Sequence, residues 1–154
     1  MSYCIRVLAP VEEVPTAAAV TQALHDEGFA ATVSATPAAE NWERLVVELP
    51  DQPPVTVRRS LRQGEENPVE VEVDAFLDEL LELEETPGVR QVEEALRRAR
   101  QLIMLEVPDT YAWGQERTVV DALVELFTEP EGSLIQADGE GFYDRKGDLL
   151  VPLE

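Results

Sequence analysis

The chain has 154 residues, 44% of them hydrophobic, and carries 32 acidic against 12 basic side chains for a formal net charge of −20. One hydrophobic core suits this length, so a single domain over 1–154 is expected, and so acidic a surface is repelled by nucleic-acid phosphates and anionic lipid, which argues against both as partners. The apolar run at the N-terminus is too short for a signal-peptide core, no segment reaches membrane-spanning length, and the lone cysteine, Cys4, excludes an internal disulfide, so a reducing, cytoplasmic setting is expected.

Residues 4–9 are rich in strand formers and stop at Pro10. Pro15 suits the first position of a helix over 15–27 that ends at Gly28, and strands follow over 29–35 and 43–49 with a connection at 36–41. A proline-rich turn at 50–54 leads to a strand over 55–61. The next segment carries two periodicities. Val69, Val71 and Val73 alternate with Glu70 and Glu72 as in a strand, yet Val69, Val73, Phe76, Leu77, Leu80 and Leu81 also make a helical stripe. Asn67 as N-cap, Pro68 in the first turn and Glu70 as the capping-box acid decide for a helix over 68–85.

Thr86 and Pro87 then start a second helix, with Val89, Val92, Leu96 and Ala99 on one side and Glu93–Arg97 and Glu94–Arg98 pairs on the other. The two helices are expected to form a hairpin over 68–100. A strand over 102–107 closes at Pro108, and Thr118 with Asp121 resembles the capping box of a helix reaching Thr128. Three short strands, 133–137, 141–144 and 148–151, are separated by Asp138-Gly139 and Lys146-Gly147 turns. The resulting class is α+β, a mixed or mainly antiparallel sheet with packed helices. Two βαββ-like halves, 4–49 and 102–151, flank the helical hairpin, and a pseudo-two-fold relation between them is the architectural expectation.

Few residues offer chemistry. Asp138, Glu140 and Asp144 crowd one turn and suggest Ca²⁺, but Phe142 and Tyr143 stand where a calcium loop is polar, and Gly139 and Gly141 fit a hairpin better, so no metal is expected. His25 has no second histidine or nucleophile beside it and suits the negative end of its helix, while Cys4 reads as an inert buried thiol. No catalytic constellation and no cofactor motif is visible. The arginine islands 58/59/62 and 97/98/100 read as partners for nearby glutamates, a question that clustering in space reopens.

The best candidate for partner binding is the loop bearing Asp109, Tyr111 and Trp113, because two large aromatics between a strand and a helix resemble an interface hot spot; burial of Trp113 in the helix stripe is the competing reading. The leading expectation is a non-enzymatic interaction or regulatory module, for example a toxin-neutralising one, that meets a basic or mixed-charge protein. A carboxylate-dependent enzyme or small-ligand binder, with a pocket between sheet and helical hairpin near Arg58 or Arg97, is the alternative, and a homodimer is a third, structural option. With Lys146 the only lysine, coding bias or a high-salt habitat competes with function as the source of the acidity.

Overall fold

The computed structural model describes residues 2–38, 40–111 and 116–153. Its elements run β1 (Ser2–Ala9), α1 (Ala17–Asp26), β2 (Thr32–Thr36), β3 (Arg44–Glu48), β4 (Val55–Leu61), α2 (Pro68–Leu81), α3 (Pro87–Arg98), β5 (Gln101–Pro108), α4 (Glu116–Phe127), β6 (Leu134–Ala137), β7 (Gly141–Asp144) and β8 (Leu149–Pro152).

Local chemistry sets most helix starts. The side chains of Thr16, Asn67 and Thr86 accept hydrogen bonds from the Ala19, Glu70 and Val89 amides, and Pro68 and Pro87 open their helices where a missing N–H costs nothing. Helix α2 ends at Leu81, short of the expected 85, and three details of the helix starts differ from expectation. Pro15 lies before the Thr16 cap, and its carbonyl accepts from the Trp42 indole at 2.8 Å. The Glu70 carboxylate turns to Arg62 at 3.3 Å. Helix α4 begins before Thr118, so that threonine lies inside the helix.

All eight strands join one antiparallel sheet in the order β2-β3-β4-β5-β1-β6-β7-β8. The long β1–β5 pairing, from Ser2 opposite Pro108 to Ala9 opposite Gln101, forms its centre. These two strands carry apolar residues on both faces, as strands covered on both sides must. Ile5, Val7, Ile103, Leu105 and Val107 pack beneath α1 and α4. Leu8 and Leu102 face the other way, beneath α2 and α3, with Leu134, Phe142 and Val151. Helices therefore cover both faces of an antiparallel sheet, an α+β architecture.

The two βαββ runs are present in element order, but the sheet does not relate them by symmetry. Strands β2, β3 and β4 run inward from one edge, whereas β6, β7 and β8 run outward to the other. A two-fold axis between β1 and β5 superposes β2 on β8 and reverses the strand sequence, so the repeat is one of element order alone.

The right edge depends on a close approach. Gly141 has φ +133, and a Cβ there runs into the Val151 carbonyl, so only glycine lets β7 and β8 pair at this point. A Cβ on Gly88 meets the Leu150 carbonyl in the same way, which allows the first turn of α3 to lie directly on β8.

Candidate functional site

The loop expected to bind a partner follows β5. It opens with a 3-10 turn over Asp109–Tyr111, and Asp109 stays at the surface. Tyr111 does not: it is fully buried, and its hydroxyl donates to the Pro53 carbonyl at 2.6 Å, tying the loop to the β3–β4 connection. It is a core residue and presents no surface to a partner. Trp113 lies outside the described residues.

Beside this loop, a polar cluster joins β1, α4 and β7. Arg117 donates to the Tyr3 hydroxyl at 3.0 Å and to Asp121 at 3.2 Å, and the Tyr143 hydroxyl donates to Glu140 at 2.7 Å. Burial, opposed by the Arg117 charge, raises the Tyr3 pKa; the hydrogen bond to Glu140 is the main cause raising that of Tyr143. A phenol whose folded pKa exceeds its unfolded value stabilises the fold fully below the unfolded pKa and loses that contribution as pH rises through the folded one. Stability is therefore expected to fall as pH climbs past about 10. Urea midpoints between pH 8 and pH 11 are expected to decline less steeply in Tyr3→Phe/Tyr143→Phe; an equal decline removes these phenols as the cause.

The arginine islands do meet in space, since the Arg62 amide donates to the Arg100 carbonyl, yet their charges are already engaged. Arg58 pairs with Glu106, Arg97 with Glu93, Arg98 with Glu94 and Arg100 with Glu12. Arg62 reaches Glu70 and also donates to the Leu96, Arg97 and Ala99 carbonyls that end α3. Arg59 turns inward, where it donates to Gln101 Oε1 at 2.9 Å and to the carbonyls of Glu12 at 2.6 Å and Trp42 at 3.3 Å; burial lowers its pKa. The islands are thus structural. Arg6 is held similarly, by Gln136 and Asp138, 3.5 Å from Glu72 and above the Phe76 ring. Among the described residues, Arg44, Arg145 and Lys146 are the exposed cations with no carboxylate at ion-pair distance.

The acids are distributed differently. Helix α3 neutralises its own outer face through Arg97 and Arg98, and Arg90 pairs with Glu85. Helix α2 has no such balance: Asp74, Asp78 and Glu79, with Glu82 and Glu84 just beyond, are exposed and have no cation beside them among the described residues. Interleaved with them are Val71, Leu81 and Leu83, exposed by 59%, 79% and 39%. Of the described large apolar residues, only Leu149 is comparably exposed.

Leu81 corrects the expected stripe. The buried set is Val69, Val73, Phe76 and Leu80, and Leu81 lies a further 100° or so round the helix, outside the covered arc. The step of about 100° per residue is the signal in the sequence for this surface.

A cavity of about 370 Å³ lies between sheet and hairpin and includes Arg58, as the small-ligand alternative requires, but Arg97 is not among its lining residues. Of its three charged lining residues, Arg58 pairs with Glu106 and Glu72 with Arg6, and Glu66 has no cation at ion-pair distance among the described residues. In the 138–144 turn, Asp138 accepts from the Cys4 amide and Arg6, Asp144 accepts from the Lys146 and Asp148 amides, and Glu140 holds Tyr143, a hairpin arrangement. No grouping of three or more His, Cys, Asp or Glu suited to a metal occurs among the described residues. His25 is exposed, with Nε2 at 3.1 Å from the Ala31 carbonyl. Cys4 is half-buried and not enclosed in the core; burial and the Asp138 charge raise its thiol pKa.

No helix among the described residues is long and apolar enough to cross a membrane. No protein-family model, curated protein or solved structure matches the chain.

Proposed function

We propose that the chain is a non-enzymatic interaction module of the regulatory or toxin-neutralising kind, working in the cytoplasm, and that it takes a basic, amphipathic segment of another protein along the outer ridge of α2. The observation that carries this reading is the pattern along and just beyond α2: carboxylates at 74, 78, 79, 82 and 84 with no counter-ion among the described residues, and Val71, Leu81 and Leu83 exposed in the same stretch. Surface pairs like those on α3 contribute under about 1 kcal/mol, so neutralising acids is cheap, and leaving them bare beside solvent-exposed leucines suits a partner that supplies both cations and apolar contacts.

A defined probe tests it: an amphipathic helical peptide of lysine and leucine at helical spacing, compared with a scrambled peptide of the same composition. Amide shifts are expected along α2, with affinity falling at least about tenfold between 0.05 and 0.5 M salt because an exposed interaction is screened. Asp74→Asn/Asp78→Asn/Glu82→Gln and, separately, Leu81→Ser/Leu83→Ser are each expected to weaken binding in a protein of unchanged melting temperature. Equal binding of both peptides, with shifts scattered over the surface, reduces the ridge to an ordinary polyanion and sinks the proposal.

A further inference from the structure

A cavity of about 410 Å³ opens between α3, the connection from α4 to β6, and the β7–β8 hairpin. Pro10, Ala95, Leu134 and Leu150 give it an apolar lining, while Arg98, Arg145 and Lys146 supply cations. Three carboxylates also border it, and two of them are occupied. Glu94 is bound to Arg98 at 2.6 Å, and Asp144 Oδ1 accepts the Lys146 and Asp148 amides at 2.9 and 3.0 Å. Glu131 has no cation partner among the described residues.

With 32 acidic residues to 12 basic ones, most cations in this chain have found a carboxylate. Two neighbours with none at ion-pair distance among the described residues, Arg145 and Lys146, border the same apolar hollow. We infer that this cavity binds a small organic monoanion of the short-chain carboxylate class, its charged group at Arg145 and Lys146 and its aliphatic body against Ala95, Leu134 and Leu150. The net charge of the molecule gives no general attraction for anions, so retention depends on this local pair of cations together with the apolar area covered, worth roughly 25 cal/mol per Å². Glu131 and Asp144, whose carboxylate is held by backbone amides and not by a cation, both oppose the ligand charge and limit affinity.

Hexanoate is the probe, with acetate, inorganic phosphate and hexanamide as the other arms, followed by calorimetry and amide shifts. Hexanoate is expected to bind in the low millimolar range, shifting residues 144–147 and Ala95, with each of the other three at least about tenfold weaker. Arg145→Ser/Lys146→Ser is expected to weaken hexanoate about tenfold without changing the melting temperature, and Glu131→Gln to tighten it by about twofold to fivefold. Silence at about 50 mM hexanoate, phosphate binding as well as hexanoate, or indifference to either variant overturns the inference. None of these residues belongs to the α2 ridge, so the outcome is independent of the interaction reading.

Discussion

Replacing Trp42 by alanine is expected to lower the free energy of unfolding by about 4 kcal/mol, within the range of large aromatic truncations in closed cores. The side chain is fully buried although it lies in the connection ahead of β3. Its ring stands 6.1 Å from that of Phe127 on α4, and its indole N–H donates to the Pro15 carbonyl at the entrance to α1. One residue thus closes the core between two helices and a loop. Trp42→Phe keeps much of the volume and loses the hydrogen bond, so roughly half the penalty is expected. Urea denaturation reads both as a midpoint shift at constant m-value. A loss below about 1 kcal/mol for the alanine variant contradicts the burial described here.

Arg59→Met is expected to cost about 3 kcal/mol, because it removes three donated hydrogen bonds and leaves buried acceptors unpaired. The guanidinium spans three segments: the Glu12 carbonyl after β1, the Trp42 carbonyl before β3 and the Gln101 side chain of β5. Gln101 in turn donates to the Glu13 carbonyl at 2.7 Å. Arg59→Lys is expected to be nearly as damaging, since an ammonium group cannot address acceptors along a planar fork. A double-mutant cycle with Gln101→Leu separates the network from simple loss of volume. The two penalties are expected to overlap by at least about 0.5 kcal/mol, and strict additivity counts against a shared network.

Trp42 packs in the core beneath α1 and α4, on the opposite face of the sheet from α2 and α3. The acidic ridge of α2 and the cavity beside the β7–β8 hairpin lie on the same side of the sheet as α3, and α3 separates their charges by neutralising its own. Within the helical hairpin, the exposed carboxylates that have no cation beside them among the described residues lie mainly on and just after α2, and α3 pairs several of its own.

Local order was legible because its causes are local. A helix cap requires one side chain and an amide three residues on, which is why Asn67-Pro68 and Thr86-Pro87 marked α2 and α3 correctly. A strand depends on alternation and bounding turns, and the strands expected over 55–61 and 141–144 have those same bounds in the structure. The competing periodicities over 69–73 were resolved by that same cap chemistry. The α+β class followed from the order of elements.

What lay beyond reach depended on residues brought together from far along the chain. Ser2 pairs with Pro108, and that register sends Tyr3 toward the α4 side while leaving Cys4 on the other face. Tyr111 and Asp109 have the same sequence signal as surface aromatics and acids anywhere, but one closes the core onto Pro53 and the other remains outside. Arg59 differs from Arg58 only in pointing to the opposite face of β4, and with period two that decides between a buried hub and a surface pair. The sequence by itself determined the elements, their capping and the excess of negative charge, since each follows from composition or from neighbours within a turn. Strand order, the face each side chain meets and which charges remain without partners were decided only by the tertiary structure, because those depend on pairings between distant parts of the chain, such as Ser2 with Pro108 and Ile5 with Ala137.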